Sequence, residues 1–110
     1  MNRAEAQQIA QAELEREREK GYEELRRAAP RVVGESRRFL GLLRQKEWEA
    51  PEGHRVTETR AGPSGTSYFV EREVDWDDSY GGALRLWVYV HDGESAEHPE
   101  SATSIVESPA

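Results

Sequence analysis

SYFVEREVDW, residues 67–76, and ALRLWVYVH, residues 83–91, decide the fold of this chain. In the first segment Tyr68, Val70, Val74 and Trp76 alternate with Glu71, Glu73 and Asp75. In the second, Leu84, Leu86, Val88 and Val90 alternate with Arg85, Trp87, Tyr89 and His91. Successive side chains of a strand point to opposite faces, so each segment reads as a half-buried β-strand. The turn-forming residues 77–82, DDSYGG, predict an antiparallel hairpin between them. Pairing then fixes a parity: the even-numbered apolar residues share the buried face, because a one-residue slip would invert every side chain. The opposite face collects Phe69, Glu71, Glu73, Asp75, Arg85, Trp87, Tyr89 and His91, aromatic and acidic together.

Working outward, Arg55 to Arg60 reads as a short polar edge strand, joined to the hairpin by the loop 61–66. Residues 54–92 thus predict a three-stranded antiparallel meander. Residues 93–100 are polar and loop-like, and Ile105-Val106 within Thr103 to Glu107 can add a short fourth strand.

Upstream the pattern is helical. Residues 3–28 are nearly all good helix formers, with Asn2 placed to cap them and Glu5 three residues on. Their apolar positions, Ile9, Leu14, Gly21, Tyr22, Leu25, Ala28 and Ala29, form a thin stripe, so this long charged helix reads as an arm or one member of a helix pair. Leu14, Gly21 and Ala28 keep a seven-residue spacing, from which a homo-oligomer through this helix is expected. Pro30 ends the helix, since proline lacks an N–H and clashes with the preceding turn. A second, amphipathic core helix is predicted over about 31–46, with Val32, Val33, Phe39, Leu40, Leu42 and Leu43 on one side and Arg37, Arg38, Arg44 and Lys46 on the other.

A chain of 110 residues bounds this to one domain: charged helix 1–29, core helix 30–48, meander 54–92, loop and tail 93–110. The fold class is α+β, two N-terminal helices packed on the meander, because segregated helices and strands argue against alternating βαβ topology. The net charge of −7 divides unevenly, +2 over residues 1–47 and −9 over residues 48–110. There is no cysteine, hence neither a disulfide framework nor a thiolate metal site. The opening residues lack the apolar run of a signal peptide and no stretch reaches membrane-spanning length, so a cytoplasmic protein is expected.

Sites of chemistry are sparse. Asp75 to Ser79 is acidic, but counting from Asp75 the EF-hand positions for Gly and Glu hold Tyr80 and Leu86. His91, Asp92, Glu94, Glu97 and His98 match no metal-ligand spacing. No metal and no cofactor are implied. No phosphate loop, nucleophile elbow or HExxH motif points to an enzyme. Arg37 and Arg38 could grip an anion where the second helix meets the sheet, giving a small-molecule or nucleotide site. The basic run from Arg26 to Lys46 could instead contact nucleic acid, although the net charge opposes approach to a polyanion.

The reading favoured is a non-enzymatic module that binds a protein with a basic surface. Trp87 and Tyr89 anchor the contact, while Glu71, Glu73 and Asp75 steer it. In its general style the chain is similar to immunity proteins and phage-encoded inhibitors, a likeness that assigns no residue a role.

Overall fold

The structure, a computed structural model, describes the backbone of residues 1–38 and 43–109 and the side chains of residues 1–35 and 45–109. The elements in order are α1 (Arg3–Arg18), α2 (Tyr22–Arg26), β1 (Arg31–Arg38), β2 (Leu43–Glu49), β3 (Arg55–Ala61), β4 (Ser67–Trp76), β5 (Leu84–His91) and β6 (Glu100–Val106). The class is α+β. β3, β4, β5 and β6 form a four-stranded sheet in sequential order, and β1 pairs with β2 in a separate two-stranded sheet.

Alternation builds the meander. β4 and β5 pair antiparallel from Phe69↔His91 to Trp76↔Leu84. Their even-numbered Tyr68, Val70, Val74, Leu84, Leu86, Val88 and Val90 are buried. β3 flanks β4, with Arg55 opposite Glu73 and Ala61 opposite Ser67. The fourth strand is a full member of the sheet: β6 starts at Glu100 and pairs along β5 from Val90 to Leu84. The short fourth strand allowed for at Thr103 to Glu107 is thus seven residues long, Glu100–Val106, and the meander has four strands.

Helix α1 starts where Asn2 Oδ1 accepts the Glu5 backbone N–H at 3.1 Å, which satisfies one free donor of the first turn. Ala6, Ala10 and Leu14 recur every four residues on one helix face and are buried in the sheet core. The small alanine side chains let the helix lie close to β5 and β6. The single helix expected through residue 28 is instead broken at Gly21, whose φ of 81° suits glycine and few other residues. After this break α2 brings Leu25 into the core, with Ala29 just beyond it, and the Tyr22 hydroxyl donates to Gly82 O at 2.7 Å. Leu14 and Leu25, two members of the stripe from which a helix pair between subunits was expected, are thus buried inside this chain.

The predicted core helix over 30–48 is replaced by a β-hairpin. β1 and β2 pair from Arg31↔Glu49 to Arg38↔Leu43, with an irregularity between Val32 and Gly34. The physical reason lies in the first half of the segment. Val32 and Val33 are β-branched, and Gly34 and Ser36 are poor residues for a helix interior. The cross-strand pair Arg31–Glu49, 3.4 Å apart, adds a small contribution. Phe39, Leu40 and Leu42 lie outside the described residues. The hairpin is tied to the body at its base, where the Trp76 indole N–H donates to Pro30 O at 2.6 Å. Accordingly the chain measures 57 × 34 × 20 Å with a radius of gyration of 16.8 Å. A compact chain of similar length would give about 13 Å.

Candidate functional site

Because α1 packs on the even face of the meander, the odd-numbered side chains line the opposite face. Sheet parity places all eight residues singled out above there. Along β5 they form a stack. The Arg85 guanidinium carbon lies 5.7 Å from the Trp87 ring centroid. Trp87 and Tyr89, two residues apart, are parallel within 4° at 6.0 Å. His91 stacks on its cross-strand partner Phe69 at 5.3 Å. Phe69 remains 42% exposed. Flat rings at this spacing offer a large contact area that few rotamers need to be frozen to present.

The neighbouring strand supplies the acids. Glu71 stands opposite Tyr89, Glu73 opposite Trp87 and Asp75 opposite Arg85. The face is less uniformly acidic than its sequence suggests. Glu73 meets the Arg55 guanidinium at 3.3 Å, and Arg85 is held by Asp77 at 2.7 Å. Glu71 makes no ion pair among the described residues. Arg55, Glu71, Glu73, Tyr89 and Pro99 line a hollow of about 250 Å³. Burial raises the Tyr89 phenol above its ordinary pKa, with the carboxylates of Glu73 and Glu71 adding to the effect and Arg55 opposing it. Tyr89 therefore keeps its proton and can donate a hydrogen bond at neutral pH.

Two carboxylates of the acidic loops considered for metal binding have partners within the chain. Asp77 holds Arg85, and Asp92 Oδ1 accepts the Ser95 N–H at 2.9 Å. A different group, missed in the sequence because His54 lies far from the other two along the chain, is His54, Glu73 and Asp75, whose donor atoms lie within 4.8 Å of one another. Glu73 of this group also pairs with Arg55, so a guanidinium already answers part of its charge. Arg37 and Arg38 fall on β1, in a segment where a helix was expected, so they do not stand at a junction between a helix and the sheet. Of the basic run from Arg26 to Lys46 considered for nucleic acid, residues 31–38 and 43–46 lie on β1 and β2 rather than on a helix.

Compared with protein-family models, curated proteins and solved structures, the chain has no match in any of the three.

Proposed function

We propose that this chain is a non-enzymatic protein-binding module, of the inhibitor or immunity-factor kind, that docks a basic partner on the odd face of its meander. The observation that carries this reading is the Trp87–Tyr89 stack on the sheet face away from α1, beside a carboxylate row in which Glu71 makes no ion pair among the described residues. Stacked aromatic rings supply anchoring area, and nearby carboxylates favour encounter with a cationic surface. The hollow bounded by Glu71, Glu73 and Tyr89 suits a lysine or arginine side chain, with the Tyr89 hydroxyl free to donate to a partner carbonyl.

The test is capture from an extract of the native host, followed by affinity measurement with the protein retained. Trp87→Ala should weaken that complex by about 2 kcal/mol or more, the range of an interface hot spot. Glu71→Gln should slow association and flatten its salt dependence while leaving dissociation nearly unchanged. Wild-type affinity in Trp87→Ala, with circular dichroism unaltered, would retire this face.

A further inference from the structure

A second constellation lies where the base of the hairpin meets the β4–β5 turn. Trp48 from β2, Trp76 from the end of β4 and Tyr80 from the turn converge on one cleft. Tyr80 is its centre: its ring lies 5.6 Å from Trp48 at 84° and 5.3 Å from Trp76 at 72°. Two indoles thus stand nearly perpendicular to one phenol. The cleft has a volume of about 720 Å³ and is also lined by Asp75, Asp78 and Lys46.

The polar atom of Trp76 is already committed, because its indole N–H donates to Pro30 O. This bond orients the ring and leaves its π surface, rather than its N–H, for the cleft. Trp48 and Tyr80 are about half exposed, at 50% and 49%. Large rings held at right angles and left in contact with water present the negative faces of their quadrupoles. These faces attract cations, most strongly cations that shed water easily. Two carboxylates against one ammonium give the lining a further negative bias.

We propose that this cleft is an aromatic cage for a methylated ammonium group, a quaternary ammonium being its best occupant. Methyl groups fill apolar space against the rings, while the delocalised positive charge faces the π clouds and Asp78. A small, strongly hydrated ion gains too little from the rings to replace its water shell. Asp75 is shared with the odd face, but no other residue of the cage belongs to the proposed protein-binding surface.

The proposal is tested on the full chain by nuclear magnetic resonance titration with choline, with the neutral isostere 3,3-dimethylbutan-1-ol and with a peptide carrying trimethyllysine. Choline should shift the Trp48 and Trp76 indole signals and the Tyr80 ring signals saturably, and leave Trp87 unmoved. The neutral isostere should bind at least about tenfold more weakly, the factor expected when the cation–π and carboxylate attractions are removed. Tyr80→Ala and Trp48→Ala should each lose about tenfold in choline affinity. Both residues are half exposed, so unaltered thermal melting is expected and separates lost binding from lost fold. Asp78→Asn should weaken choline severalfold, and Lys46→Gln should strengthen it. Tighter binding of the trimethyllysine peptide than of choline assigns the site to a protein tail, and the reverse assigns it to a free metabolite; either result supports the cage. Equal binding of choline and its neutral isostere, or no saturable shift with either cation, overturns it.

Discussion

Arg72 on β4 donates to Glu17 on α1 at 2.6 Å, and the same guanidinium nitrogen reaches Glu13 at 3.2 Å. Glu13 and Glu17 are buried, 1% and 5% exposed, in a charged helix that reads from its sequence as an arm or one member of a helix pair. Arg60 reaches Glu13 at 2.8 Å, Glu58 takes the other Arg72 nitrogen at 2.8 Å, and Lys20 answers Glu17 at 2.9 Å. The ion cluster locks α1 onto the β3–β4 side of a sheet whose contacts with α1 lie mainly on β5 and β6. Removing one partner from a buried cluster leaves an uncompensated charge, which costs more than the pair contributes. Arg72→Met should therefore destabilise the fold by about 3–5 kcal/mol. Arg72→Met combined with Glu13→Leu and Glu17→Met should recover most of that loss. Urea unfolding of the two variants decides the matter, and equal stability of the single and triple replacements would contradict it.

How far the sequence carries this fold depends on which residues are asked. Tyr68 to Trp76 and Leu84 to Val90 announce their strands because one face is core and the other is not. The hairpin at 31–49 is harder to see. Its leucine-rich middle imitates helical spacing, while the opposing signals, Val32-Val33 after Pro30 and Gly34 and Ser36 beyond, are individually weak. Cross-strand complementarity, Arg31 with Glu49 and Glu35 opposite Lys46, is the pattern that a strand reading would have found. Ala6 and Ala10 were hidden for another reason: alanine is a helix former everywhere and a core residue only where a helix lies close to a sheet. Trp48, Trp76 and Tyr80 share no periodicity, since tertiary structure alone brings their three segments together.

Gly62 marks the place where α1 meets the β3–β4 loop. A Cβ there would overlap the Glu5 carboxylate and approach Tyr68 Cε2 within 2.9 Å. The Glu5 carboxylate is also held by the Ser64 hydroxyl at 2.9 Å, so it cannot move without losing that bond. Gly62→Ala should cost about 1–3 kcal/mol, the range for overfilling a packed site. Adding Glu5→Ala should make the pair less harmful than the sum of the two changes, because the residues collide with each other. Strict additivity in chemical denaturation would show that the clash lies elsewhere.

Asp92 governs part of the acid response. Its carboxylate accepts the Ser95 backbone N–H and lies 3.5 Å from the Met1 amino group. The Ser95 backbone bond, against the opposing effect of burial, holds its pKa below the ordinary 3.8, with the Ser95 side chain and the amino group assisting. A depressed carboxylate pKa stabilises the fold above the unfolded value and stops doing so as pH falls through the folded one. Asp92→Asn should thus be least stable relative to wild type near neutral pH, and the gap should close below about pH 4. Urea midpoints measured down to about pH 2 would expose the opposite trend if another carboxylate dominated.

Two tyrosines set the alkaline limit. Burial raises the Tyr68 phenol above its ordinary 10.0, with the Glu5 carboxylate contributing next, and burial likewise leads for Tyr89. In the unfolded chain both phenols release their protons near 10.0, while in the folded chain they hold them to higher pH. The stabilisation is therefore complete below the unfolded value and is lost as pH rises above it toward the folded values. The Tyr68 hydroxyl is buried with no hydrogen-bond partner among the described residues. Tyr68→Phe should accordingly leave stability at neutral pH unchanged or slightly increased, because it removes a buried unsatisfied group. It should also shrink the fall in stability above pH 10, and Glu73→Gln should bring the Tyr89 titration back toward its ordinary value. Ultraviolet phenolate titration together with urea midpoints separates the two residues: the first variant removes one titrating group, and the second moves another. An alkaline limb unchanged in Tyr68→Phe would place the loss of stability outside the Tyr68 phenol.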